Sequence, residues 1–472
     1  MTAPTPSRAT REWSPRDAPA REGGFGSGFG ESWIEPERLW SGKSIRTGAI
    51  VAHDSVYILG IGSTVVGRQP ERSFTDLARE AIENAFLDAH LTDAEVLDQV
   101  WFSNYMMDFW GQRACRGQEV LTPLLLEGLL PANVPILNVE AGCASGSVAF
   151  HAAWKHVLSG QNDVALAIGV EKMNDPTRPA VEALEWIGAA SGSLDPDAYW
   201  KPYEDLAAEL GTKFDVSTGS FAMHCYALWA QEHMHTYGTT VEQIAAAAAK
   251  NHTNAVDNPR AQYRFPLTVE EVLEDRVVSP PLTRAMCAPT GDAAAAVVVC
   301  SGSYLDRQPD EVRERALRIS GHALGGGQRG VRLMAGDRSR AAVRAAHKAY
   351  RMAGLSPDDL DLVELHDATS FAEIQLVEDL GLCEPGKGGI FTASGESQRD
   401  GRIPVNASGG LVSRGHPIGA TGILMLQEAA LQLRGEAGGV QLPDPQVALV
   451  ENGGGIVGHD VAVCSVTILE HS

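Results

Sequence analysis

Cys143 lies in NVEAGCASGSVAFHAAW, residues 138–154, where a short apolar strand gives way to a helix. Its neighbours Gly142, Ala144 and Ser145 are small, so another molecule can come close to the backbone here. A helix starting at this point turns unpaired N–H groups and the positive end of its dipole toward the sulfur. Such placement lowers a thiol's pKa and makes it a nucleophile. The chemistry it suits is nucleophilic attack, with the sulfur carrying a covalent intermediate. The competing reading is a buried structural cysteine.

Positioning such a residue needs a layered scaffold, and the chain reads as one from Val56 onward. Residues 56–66, 99–104, 135–140 and 163–173 read as strands; 74–90, 119–130 and the stretch after Cys143 to about 159 read as helices. This alternation argues for βαβ units with helices on both faces of a sheet. The second half replays the first, with strands over 315–326 and 361–368 and a helix over 340–354. LTDAEVLDQVWFSN parallels LSPDDLDLVELHDA, PILNVEAGCASG parallels IPVNASGGLVSRGHPIG, and DVALAIGVE parallels QVALVENGGG, in the same order. A duplicated α/β architecture follows. The expected division is a flexible or partner-binding arm over 1–50, a first half over 51–305, and a second half over 306–472. An insertion over about 174–285 breaks the alternation, and one this long is usually functional, such as a lid.

Composition narrows the function. A net charge of −22 speaks against nucleic acid as a partner. An anionic substrate would need a local cluster of arginines, or a more basic partner protein to supply the positive charge. No run of eighteen apolar residues and no signal-peptide pattern occur, so a cytoplasmic protein without a membrane span is expected. Seven scattered cysteines without a CxxC pair argue against disulfides and a structural zinc site, and no metal is expected. Cys287, Cys300, Cys383 and Cys464 read as core fillers, and Cys225 beside His224 as a weak site candidate.

GCASGS (142–147), HDATSF (366–371), NASGGLVSRGHPIGATG (406–422) and ENGGGIVG (451–458) occur in that order. Together they resemble the thiolase superfamily. KNHTNAVDNPRAQY, AIGVEKM and CAPTGDAAAA are similar to its sterol-carrier-protein-type branch with archaeal and bacterial acetyl-CoA acetyltransferases. The resemblance spans about residues 54–470. It implies the thiolase fold, a duplicated five-layered αβαβα architecture with a lid insertion that binds coenzyme A, usually a homodimer or a dimer of dimers. It implies an acyl-CoA substrate, no permanently bound cofactor, and in several relatives a small zinc-ribbon/OB-fold acyl-CoA-binding partner. By the same resemblance Cys143 is the acylated nucleophile, His416 activates it, and His366 helps hold the oxyanion of the second substrate. A histidine with a pKa near 6.5 suits the base's task. Gly415, Gly453, Gly454 and Gly455 allow backbone to approach the thioester, although the last three also fit a plain turn. His366 could instead cap the helix beginning near Ser370, and Asn251 and His252 could serve only lid packing.

The sequence leaves the family pattern at one place. Biosynthetic and degradative thiolases carry a second cysteine that moves the α-proton, in HDC in the sterol-carrier branch and in a C-terminal CxG motif in most of the superfamily. Here Ala368 stands at the first position, and Glu451 or Asn452 at the second. Three activities fit: a carbon–carbon bond-forming or -cleaving acyltransferase with His366 or Glu451 as base, transfer to an already activated acceptor, or an aldolase-like lyase of the steroid side-chain type. A non-catalytic scaffold is the remaining alternative, and the intact motifs speak against it.

Overall fold

The computed structural model describes residues 55–190, 195–214, 220–328 and 331–471. The expected N-terminal arm over 1–50 lies outside the described residues. In chain order the strands are β1 (Val56–Ser63), β2 (Val100–Ser103), β3 (Ile136–Val139), β4 (Val164–Glu171), β5 (Val277–Ser279), β6 (Leu282–Thr283), β7 (Ala293–Ser301), β8 (Leu317–Gly326), β9 (Leu362–Glu364), β10 (Val447–Val457) and β11 (Asp460–His471). β5 and β6 form a small hairpin; the other nine make one mixed sheet ordered β3-β2-β4-β7-β1-β8-β11-β10-β9.

That order contains the duplication. β2 runs parallel to β4 with Val100 opposite Leu166, and β9 runs parallel to β10 with Leu362 opposite Ala448. β4 and β10 then each meet an antiparallel neighbour, β7 in the first half and β11 in the second. The halves join where β1 meets β8, through Tyr57 opposite Arg318 and Ile58 opposite Leu317.

Period-two alternation sorts the side chains into layers. On β7, Ala293, Ala295, Val297 and Val299 face a core shared with helices Ser145–Leu158 and Thr421–Leu433. Ala294, Ala296, Val298 and Cys300 face the outer helices Phe74–Asp88 and Arg116–Leu126. In the second half Cys464, Val466 and Ile468 of β11 face helix Ala341–Ala353. Outer helices, the first half's strands, two central helices, the second half's strands and outer helices make the five αβαβα layers. Each fully buried Leu or Ile in them contributes roughly 2 kcal/mol to holding the layers together.

The insertion builds a fourth core. Helices Phe221–Tyr237 and Val241–Ala255 pack Tyr226, Trp229 and Ile244 against Phe371 and Ile374 of the second half. Lys250 pairs with Glu373 at 2.9 Å, so the insertion is tied to the segment that carries His366.

Candidate active site

The β3 chain end delivers Cys143. Gly142 takes φ +56°, and a Cβ there would stand 2.6 Å from the Gly455 nitrogen of the other half. Gly454 is tighter still, since its Cβ would meet the Ala144 nitrogen at 2.2 Å. Any side chain at either position would push the two halves apart at the thiol. The Ser145 hydroxyl fixes the turn, accepting the Ala141 N–H at 2.8 Å and donating to the Gly142 carbonyl at 2.6 Å. Helix Ser145–Leu158 starts two residues beyond the sulfur.

The second half brings His416 to meet it. The Nε2 of His416 stands 3.2 Å from the Cys143 Sγ, while its Nδ1 stands 2.7 Å from the Thr421 hydroxyl. That hydroxyl donates to the Pro417 carbonyl at 2.9 Å, which leaves its oxygen as the acceptor for Nδ1–H. The tautomer is thereby set, with Nε2 unprotonated and facing the thiol. From the end of β4 in the first half, Glu171 holds the same loop. Its carboxylate accepts the Gly419 and Tyr105 N–H groups at 2.9 Å, the Met106 N–H at 3.1 Å and the Asn104 amide at 2.8 Å.

His366 completes the cluster. Its ring lies edge to face with His416 at a centroid separation of 5.1 Å, and its Nε2 is buried without a hydrogen-bond partner among the described residues. Asp367 beside it accepts the Leu411 N–H at 2.6 Å and the Asn251 amide at 2.8 Å, so Asn251 acts on this segment from the insertion. The capping of helix Ser370–Asp379 falls to Thr369, not to His366.

Glu451 and Asn452 are both occupied elsewhere. Glu451 accepts the backbone N–H of His366 at 3.0 Å and the Cys464 thiol at 3.1 Å, and it does not line the cavity. Asn452 accepts the Ser147 hydroxyl at 2.8 Å, clamping β10 to the helix of Cys143. Gly453 and Gly454 do line the cavity, whereas Gly415, at φ +102°, sits behind His416 with no room for a Cβ beside Val66.

Electrostatics reverse one expectation. Burial pushes the Cys143 thiol up to about 12, and the Glu140 and Glu171 carboxylates add to the rise. Desolvation outweighs the lowering effect of the backbone hydrogen bond at Cys143, which favours the neutral thiol at rest. Burial also holds His416 well below the usual imidazole range, with His366 and the Arg414 guanidinium reinforcing the effect. His366 is pushed down to about 3 by burial and then by Arg414. The site at rest therefore pairs an uncharged thiol with two uncharged imidazoles.

These groups open onto a cavity of about 1030 Å³. Its apolar wall includes Tyr105, Met173, Leu184, Ile187, Met223 and Ile418, and its polar wall Arg68, Arg276 and Arg284 among Glu271, Glu274 and Asp275. Ala368, His252 and Cys287 also face it, so Cys287 is a half-buried wall residue and not a core filler. Tyr226, from the insertion, lines it too; nothing in the sequence pattern around it marked it out. Cys225, next to it, is buried in the insertion's own core.

The thiolase N-terminal domain family matches residues 56–279, and the thiolase C-terminal domain-like family matches residues 332–468. Acetyl-CoA acetyltransferase of Methanothermobacter thermautotrophicus is 38% identical over 409 residues, covering 85% of this chain and 97% of the relative. Sterol carrier protein 2 of Rattus norvegicus is 34% identical over 84% of this chain and 69% of its own length. Among solved structures, the Ltp2-ChsH2(DUF35) aldolase superposes with a TM-score of 0.67 at 24% identity, over 89% of this chain and 98% of that one.

Proposed function

The chain belongs to the thiolase family and is an acyl-CoA acyltransferase, and we propose that Cys143 carries the acyl group between donor and acceptor. The observation behind this assignment is the 3.2 Å contact of Cys143 Sγ with a His416 Nε2 whose other nitrogen is engaged by Thr421. In the first step Sγ bonds to the thioester carbonyl carbon while its proton passes to Nε2. The tetrahedral intermediate then expels coenzyme A, whose sulfur takes that proton back. His366, whose buried Nε2 has no partner among the described residues, would donate to or accept from the second substrate. Of the polar wall's arginines, Arg284 pairs with Asp275 at 2.8 Å, which leaves Arg68 and Arg276 to meet the anionic part of coenzyme A beside Glu271 and Glu274.

A second reading concerns the acceptor. Ala368 faces the cavity where the branch carries a thiol, and Glu451 is committed to His366 and Cys464. This favours an acceptor that is already nucleophilic over one that must first lose an α-proton. A homodimer and a small acyl-CoA-binding partner belong to the same proposal; light scattering and co-purification test them. Among the described residues no helix is long and apolar enough to cross a membrane.

Intact-mass spectrometry with a panel of acyl-CoAs tests the central claim. One acyl group should appear on the protein and be absent from Cys143→Ala. Acylation that persists in this variant assigns the nucleophile elsewhere.

A further inference from the structure

We propose that Cys143, His366 and His416 also form a binding site for a thiophilic divalent cation of the zinc class, whose occupancy silences acyl transfer. The binding rests on geometry alone; the silencing rests on the reading of Cys143 given above.

One ligand atom from each of the three residues lies within 4.8 Å of the other two. A tetrahedral zinc ion, with bonds of about 2.0 Å to nitrogen and about 2.3 Å to sulfur, holds its ligand atoms roughly 3.3–3.6 Å apart. The Cys143–His416 pair is already at 3.2 Å, so closing the set requires a movement of about 1 Å from the remaining ligand. Two further features suit a metal. Thr421 holds His416 in the tautomer that presents Nε2, as an outer-shell partner does for a ligating histidine. His366 offers a buried Nε2 that no described residue satisfies.

The fourth coordination position opens onto the cavity, where water or a substrate oxygen can occupy it. One thiolate and two imidazoles select zinc-class ions over magnesium and calcium, which prefer oxygen. The net charge of −22 raises the concentration of any divalent cation near the protein. On binding, the Cys143 thiol gives its proton to solvent and the sulfur electron pair goes to the metal. A sulfur that carries an acyl group has no thiolate to offer. Metal and acyl group therefore exclude each other.

Cobalt(II) titrated into the full-length protein reports on thiolate ligation through its sulfur-to-metal absorption band. We expect one equivalent to produce that band, zinc to abolish it, and equal magnesium or calcium to leave it unchanged. Cys143→Ala should lose the band, and His366→Asn should weaken cobalt binding while the thiolate band remains at saturation. A band that survives in Cys143→Ala, or no band in the unmodified protein, overturns the site. Mass spectrometry separates the two claims: normal acylation in excess zinc overturns silencing and leaves the acyl reading intact. Absence of acylation in chelated buffer removes that reading, while the cobalt band still reports the metal site.

Discussion

His416 Nε2 lies 3.2 Å from Cys143 Sγ across 273 residues of chain, and neither partner carries charge at rest. Burial raises the thiol to about 12 and lowers the imidazole, so the ion pair forms only as the thioester is attacked. Alkylation of Cys143 by iodoacetamide should accelerate about tenfold per pH unit from pH 6 to 9, following the thiolate fraction. The rate is read by mass at Cys143 after digestion. A rate independent of pH above 6 would mean a preformed thiolate–imidazolium pair.

Thr421 reaches the same pair through one atom. Its hydroxyl oxygen receives the Nδ1–H of His416 because its own proton is committed to Pro417. Thr421→Val keeps the shape and removes the acceptor, which frees the imidazole to take the wrong tautomer. Acylation of Cys143 should slow by about ten- to a hundredfold, with recovery in Thr421→Ser. Equal slowing in the Ser variant would assign the residue to packing.

Glu171 ties the two halves together behind the nucleophile. Both its oxygens receive N–H donors, from Asn104 and Met106 on one and from Tyr105 and Gly419 on the other. Glu171→Gln places an NH₂ against donors whichever way the amide turns, which costs about 1–3 kcal/mol. Chemical denaturation at pH 7 should show that loss, and Cys143 acylation should slow as the 416–420 loop loosens. Unchanged stability would mean that Gly419 finds another acceptor.

Much of this was legible in the sequence, for reasons that specific residues make clear. The repeat paired 91–104 with 355–368, and those segments became β2 and β9 in matching positions. The expected strand over 361–368 stops at Glu364, because Asp367 turns its carboxylate to the Leu411 N–H and the chain must bend with it. β7 and β11 lie outside the strands expected from the sequence. The first is alanine-rich, with low strand propensity but full burial, and the second follows β10 after a two-residue turn. The site motifs stood out through their glycines and histidines. Tyr226 and Cys287 did not, since a wall of a cavity is made by tertiary contacts that no local pattern encodes. Helix-terminus geometry is local and desolvation is not, so the sequence points to a lowered thiol pKa and the fold raises it.

Glu451 decides how the acceptor is activated. Its carboxylate receives the His366 N–H at 3.0 Å and the Cys464 thiol at 3.1 Å, and burial raises its pKa to about 7. A folded pKa above the ordinary value of 4.5 means that the folded state binds the extra proton between those limits. Stability from this group is then fully present below about pH 4.5 and is lost as pH rises through about 7. Glu451→Gln can still accept from His366 with its oxygen, but it has no charge to bury. The variant should gain on the unmodified protein by up to about 3 kcal/mol between pH 5 and pH 8, read by denaturant unfolding at both. Deuterium exchange at the α-carbon of acetyl-CoA gives the catalytic half of the test. With Glu451 turned from the cavity, exchange should be slow beside Cys143 acylation, and Glu451→Gln should leave it unchanged. Fast exchange that vanishes in this variant, while Asn452→Ala retains it, would place the carboxylate on the substrate and make the enzyme a condensing thiolase.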